Sequence, residues 1–321
     1  MYDAYQAEGI TTTKESPWGG VLEQVDPKTD LNKMLEKAGL NWDVEQYPAY
    51  AAIDGKRVDI GKKALVRTDT NEVLTVTGPN WKPTQNRDFV NFFREFVDAG
   101  KAEIERLGSL RNGKMIFCVA KLNTGFEVTK GDQVDGYIHA FAPHELGKAI
   151  VFRTTSQRLA CFNQLVPWRK GTAGQYTQTH MHEFNQEEAL NVMNLARDDI
   201  DSMGNQMRIL QGQKVSNKDA FRLFAKWFQK LDPKHEDYKE VLKALENDPA
   251  NQNKNLKNVL WAYEKAPGAC PGNAWGVMNA VTYWADHMAG REKEARAWRA
   301  TFGHTAKVKE RVQGELIQMA A

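Results

Sequence analysis

Cysteine is scarce in this sequence: Cys118, Cys161 and Cys270 are the only three, widely spaced and with no CxxC pair. That disfavours a disulfide framework or a zinc ribbon and fits a reducing cytoplasm. No window approaches the roughly eighteen consecutive apolar residues of a membrane span, and the N-terminal MYDAYQAEGI has no basic region followed by an apolar one. The expectation is a protein that neither crosses a membrane nor is secreted. Gly-rich phosphate loops are missing too, with no GxxxxGK[ST] and no GxGxxG after a strand, which disfavours an ATPase or a dinucleotide enzyme. There is no repeat of fixed period, so a solenoid is not expected. The net charge is only +2, against a histone-like non-specific binder, although a neutral total still allows one sign to be focused along a groove.

What is present is an ordinary globular composition over 321 residues, enough for two domains. SPWGG reads as a loop with Trp18 pinning the arm to the body. Asp30 to Gly39 predicts a helix with Asp30 as N-cap and Gly39 as stop. Residues 42–54 read as a strand that Pro48 confines to an edge or a bulge. Ala64 and Val66, then Val73 and Thr75, flank the turn Asp69-Thr70-Asn71 as a hairpin. NRDFVNFFREFVDAG predicts a helix capped by Asn86, with Phe89, Phe92, Phe93, Phe96 and Val97 as its apolar stripe. A second hairpin carries Asn112-Gly113 at its tip. A third β unit joins two strands around Pro143 to Gly147, and a short helix is expected near Arg158 to Leu165. From Glu183 onward the periodicity is almost wholly helical: about Gln186 to Met207, Lys218 to Leu231, Lys239 to Leu245, Asn255 to Glu264, Ala274 to Met288 and Val308 to Gln318. The fold class is α+β: an antiparallel hairpin sheet with helices packed on one face over residues 1–182, then a helical C-terminal domain over 183–321.

From Leu146 to His182 there is no Asp or Glu, while Lys148, Arg153, Arg158, Arg169 and Lys170 supply five cations. Phe152, Phe162 and Trp168 are interleaved with them. Phosphates on one side and stacked bases on the other are what single-stranded nucleic acid offers such a surface. The same residues also suit an apolar core with a solvated basic edge. Arg111 and Lys114 flank the Asn-Gly turn, suited to reaching a backbone or to keeping a hairpin tip soluble. Trp81, Lys82, Gln85, Asn86 and Arg87 form a second candidate cluster at a helix start, or a well-capped turn with Trp81 buried. Lys63 and Arg67 share one strand face with Lys62 opposite, and Asp69 and Glu72 are placed to pair with them.

SPWGG, AGLNWDVEQYPAY, VRTDTNEVLTVTGPNWKPTQN, GSLRNGKMIFCVAKL, VFRTTSQRLACFN and NAWGVMNAVTYWADH together resemble the phage/plasmid-like family, a family of unknown function found on bacteriophages and plasmids. Gly19 stands where a His commonly follows the Trp of the first block. The hairpin and helix organisation is similar to that of phage single-strand annealing proteins of the RecT/Redβ superfamily. The resemblance implies a host bacterial cytoplasm, an oligomeric ring or filament, and a phage exonuclease or host single-strand-binding protein as further partners.

The expected function is therefore ATP-independent binding and annealing of single-stranded DNA, with no cofactor, no metal and no catalytic residue. Five phosphate contacts, from Arg111, Lys114, Arg153, Arg158 and Lys170, predict a salt slope of about −3.5. Two alternatives stay open: a protein-interaction or host-modulating factor, and a metal-dependent nuclease. His180 and His182 lack a third ligand at a telling spacing, Cys161 reads better as a small buried thiol than as a nucleophile, and Asp199, Asp201, Glu187 and Glu188 read as a solvated acidic face.

Overall fold

Turn chemistry organises the first half of the chain. The computed structural model describes residues 7–11, 22–158, 163–165, 175–229, 238–247, 253–291 and 303–320, with 231, 234, 296, 299 and 300 between them. Trp18, Cys161 and Phe162 lie outside these residues.

Ala7–Thr11 (β1) and Glu23–Gln24 (β2) pair in parallel. Leu31–Lys37 (α1) begins where Asp30 accepts from the backbone N–H groups of Asn32 and Lys33, as its N-cap role requires. Val44–Ile53 (β3), Lys56–Arg67 (β4) and Val73–Thr77 (β5) form a three-stranded antiparallel sheet. Asp54 and Gly55, at φ of 49° and 76°, turn β3 into β4 with the handedness that two-residue hairpins favour. Pro48 sits on the edge strand β3 beside a bulge at Ala49/Tyr50, the two places open to it.

The predicted helix over residues 86–100 divides into Asn86–Asn91 (α2) and Arg94–Asp98 (α3). Gln85 holds the cap position, and Asn86 is instead the first helical residue, buried, with other work to do. Ala102–Leu110 (β6) and Met115–Glu127 (β7) form the hairpin expected around Asn112-Gly113, with Arg111, Asn112 and Gly113 all at positive φ. Gln133–Pro143 (β8), Ile150–Arg158 (β9), Asn163–Leu165 (β10) and Gln175–Gln178 (β11) complete an eight-stranded sheet in the order β10-β9-β8-β7-β6-β1-β2, with β11 also on β9. The described residues thus build two sheets rather than one. Of the short helix expected near Arg158 to Leu165, the described residues are strand instead: β9 runs on through Thr154, Thr155 and Ser156 to Arg158, and β10 returns antiparallel with Asn163 opposite Arg158. Consecutive β-branched residues at 154 and 155 favour the extended chain over a helix start.

The core under β9 is aromatic. Phe152, at 1% exposure, has Phe92 at 4.7 Å, Phe89 at 5.7 Å and Phe184 at 5.8 Å between ring centroids. Phe89 and Phe93 on α2 and its exit are fully buried, as the apolar stripe predicts.

The second half is helical: Gln186–Asn194 (α4), Ala196–Gly212 (α5), Asn217–Phe228 (α6), Tyr238–Asn247 (α7), Lys254–Lys265 (α8), Ala274–Tyr283 (α9) and His304–Ala320 (α10). Caps fix three starts: Ser216 accepts from Asp219 N–H, Asn253 from Leu256 N–H and Asn273 from Gly276 N–H. A β-carbon at Gly276 would lie 2.0 Å from the Cys270 carbonyl oxygen, so only glycine lets α9 start so close to that backbone. The helix expected to run to Met288 becomes a π-helical turn over Trp284–Met288. There Asp286 meets Lys309 of α10 at 2.8 Å, both almost fully buried.

Two compact units result. One comprises Met1–Thr124, Gly136–Thr155 and Arg169–Ile200; the other comprises Gly125–Asp135, Ser156–Trp168 and Asp201–Ala321. The class is α+β, with most of the helix in the C-terminal half.

Candidate nucleic-acid interface

The basic segment behind Lys148 is less available than its charge count implies. Glu145 stands one residue before the acid-free run. Its carboxylate accepts from Arg111 Nη1 at 2.6 Å and Nη2 at 2.5 Å, and from Lys148 Nζ at 2.5 Å. One anion therefore bridges two predicted phosphate ligands. Lys114 is half-buried, and its carbonyl accepts from His144 N–H at 2.8 Å. Arg153 is half-buried on β9, opposite Gln175 of β11. Phe152, expected as a stacking platform, is a core residue at the centre of the aromatic cluster, and no base reaches it without opening that core. Arg158 ends β9, with only its backbone described. Trp168, Arg169 and Lys170 lie outside the described residues.

The second predicted cluster also divides. Trp81 is 6% exposed and stacks on His180 with ring centroids 4.0 Å apart, so it is packing and not a platform. Lys82 and Arg87 beside it are exposed, Arg87 donating to Asn41 Oδ1 at 3.1 Å.

Between these groups lies a buried polar knot that roots the three-stranded sheet. Arg67 lies over the Trp42 ring at 4.3 Å. It donates to both Asp69 oxygens, at 3.0 and 2.8 Å, and to the Asn112 carbonyl at 3.1 Å. The Arg67 bond holds Asp69 below the usual carboxylate range, against the opposing effect of burial. Gly113 completes the knot: a β-carbon there would lie 2.8 Å from Trp42 and 2.9 Å from Arg67. Asn86 donates to the carbonyls of Leu40 and Trp42, leaving its Oδ1 facing His144 Nε2 at 3.0 Å. That puts the His144 proton on Nε2 and leaves Nδ1 buried with no hydrogen bond among the described residues. Burial pushes His144 down to about 3, with His180 and Arg67 adding to the shift. Burial likewise pushes His180 down to about 4, against the pull of the Lys82 and Pro143 carbonyls. Both rings are neutral at pH 7, and the knot is a rigid mount.

From that mount β3 and β4 project as an arm. Between Tyr50 and Lys62 every residue except Ala51 is exposed. Asp59 accepts from Gly61 N–H at 2.8 Å, and Gly61 takes a φ of 65°, which shapes the bulge opposite Tyr50. Cross-strand partners share a face, so the register places Pro48 with Lys63, Tyr50 with Asp59 and Ala52 with Arg57. Gln46, on the same face, donates to the Trp81 carbonyl at 2.8 Å and so keeps Lys82 next to it. One side of the arm thus presents Tyr50, 52% exposed, opposite Asp59 and between the Arg57 and Lys63 rungs, with Lys82 at its root by Gln46.

Residues 73–312, about three quarters of the chain, match the family described as a domain of unknown function (DUF932). The chain belongs to this family. The DUF932 match begins at the first residue of β5, so Lys82 and Arg87 fall within it while β3 and β4 precede it. No curated protein and no solved structure matches the chain. Among the described residues no three His, Cys, Asp or Glu side chains are placed to hold a metal ion, and no helix is long and apolar enough to cross a membrane.

Glu145 escapes the sequence pattern because the acid-free run begins one residue after it, at Leu146. The arm escapes it too, although Asp54-Gly55 is a strong hairpin signal in its own right. Nothing in the spacing of His144 and Asn86 announces that they meet.

Proposed function

We propose that the protein binds single-stranded DNA without catalysing a covalent step, and promotes annealing of complementary strands in phage or plasmid recombination. The observation that carries this reading is the arm: a solvent-exposed tyrosine, paired with Asp59 and flanked by the Arg57 and Lys63 rungs, on a hairpin whose root carries Lys82. Cations hold phosphates, and an aromatic ring stacks a base without reading its identity. This moves the strand from the Lys148 segment to the first hairpin and the start of α2. The phage or plasmid setting rests on the resemblance of the sequence blocks.

Four contacts, from Arg57, Lys63, Lys82 and Arg87, give a salt slope of about −2.8, from roughly −0.7 per phosphate on a single strand. The test is fluorescence-quench annealing of two complementary oligonucleotides in EDTA without nucleotide triphosphate. Faster annealing that is lost in R57E/K63E supports the proposal. No binding of either strand at low salt removes it, and strand cleavage that appears only with Mg²⁺ points to a nuclease instead.

A further inference from the structure

The opposite face of the same sheet is largely apolar, with Glu45, which accepts from the Tyr47 hydroxyl, Lys62 and Lys56 as its charged positions. In an antiparallel sheet covered on one side, outward positions are normally polar and inward ones apolar. Here the inward positions Val44 and Leu65 are buried as expected, yet most of the outward positions are apolar as well. Val66 is paired with Val73, and Ala64 is paired with Tyr47 and Val76. Tyr47, Val73 and Val76 are 50%, 52% and 42% exposed, and the face continues to the tip as Val58 and Ile53. Of the large hydrophobic side chains exposed among the described residues, half lie on this one sheet.

We infer that this outer face packs face to face against the same face of a second copy of the chain. Two observations choose a second copy over another partner. The first is charge. Along the face Glu45 stands on the Val66 rung and Lys62 on the Ala49 rung, with the Tyr47–Ala64–Val76 rung between them. A two-fold axis along that middle rung turns the Glu45 end of one copy onto the Lys62 end of the other, so the patch complements itself, as an isologous interface must. The second is area. The exposed parts of Tyr47, Val73 and Val76, the apolar side chains around that axis, come to roughly 250 Å², over half of the apolar share of the ~800 Å² that each partner gives to a standard interface. Tyr50, Arg57 and Lys63 point to the other side, so pairing leaves the proposed strand-binding face open.

The measurement is sedimentation velocity of the full chain over a range of concentrations, without nucleic acid, so its outcome is independent of strand binding. The wild type is expected to sediment as two chains, or as an even multiple that V73K/V76K halves. V73K/V76K and, separately, Tyr47→Lys should lower the mass, while Leu195→Lys, exposed elsewhere, should not. All four are exposed positions, so unchanged thermal unfolding will show that the variants are folded. A wild type that stays one chain throughout, an odd-numbered assembly, or a V73K/V76K protein that keeps the wild-type mass overturns the inference.

Discussion

The β3–β4 arm and the segment from Lys148 through β11 have similar ingredients and opposite fates. Both bring cations and aromatic rings close together in sequence. In the segment the described rings, Phe152 and Tyr176, are both buried, Phe152 sealed among Phe89, Phe92 and Phe184, and Lys148 shares Glu145 with Arg111. On the arm Tyr50 faces solvent, and Arg57, Lys62 and Lys63 stand on a hairpin with little packed against it. The difference is register and depth. β9 lies within the large sheet and must bury one face, whereas β3 and β4 run past the body once Pro48 is reached.

The strongest way to break this comparison is to exchange the roles of the two rings. Phe152→Ala should cost about 3 to 5 kcal/mol of stability, as large-to-small changes in aromatic cores do, measured by chemical denaturation. Tyr50→Ala should leave stability within about 0.5 kcal/mol and weaken strand binding by about 1 to 3 kcal/mol, the worth of one stacked base. A Tyr50 variant that unfolds, or that binds normally, would dissolve the distinction.

Acid offers a test of the mount itself. His144 and His180 have folded values of about 3 and 4, below the unfolded imidazole near 6.5. Folding therefore favours the neutral rings. Their contribution is complete above about pH 6.5 and is lost as pH falls from there to about 4 for His180 and about 3 for His144, because the unfolded chain takes up protons first. Stability should drop by a few kcal/mol across that window, and His144→Gln should flatten the slope. Asp69 adds to the same trend at lower pH, since its depressed carboxyl stabilises the fold above its unfolded value and ceases to do so on protonation.

The smallest expected effect sharpens the comparison most finely. Glu145→Gln releases Arg111 and Lys148 from their shared anion. If the Lys148 segment held the strand, the released Arg111 would steepen the salt slope by about 0.7. With the strand on the arm, the slope should stay as it is.

Much of the architecture was legible because local chemistry and tertiary structure agree. Asp30 as a cap, Asn112-Gly113 as a turn, Pro48 at an edge and a bulge, and the Phe89 and Phe93 stripe all satisfy local rules that packing leaves intact. The failures have a common cause in long-range pairing. A run with Thr154, Thr155 and Ser156 followed by apolar residues has no local reason to pair back on itself, and β10 forms because β9 offers an edge. Asn86 makes a plausible cap on local grounds, but Leu40, Trp42 and His144 claim its side chain from more than forty residues away. The candidate site was legible in type and not in place: cation and aromatic content can be read from a sequence, whereas Glu145 closing over Arg111 and Lys148 depends on two strand ends meeting.

The most direct test is anisotropy of a labelled single-stranded oligonucleotide at several salt concentrations with three proteins: wild type, R57A/K63A and K148A/R153A. The account predicts a slope near −2.8 for the wild type, about −1.4 for R57A/K63A, and the wild-type value for K148A/R153A. A slope that falls only in K148A/R153A would contradict it and return the strand to the central segment, and binding that ignores salt in all three would leave no phosphate-holding surface at all.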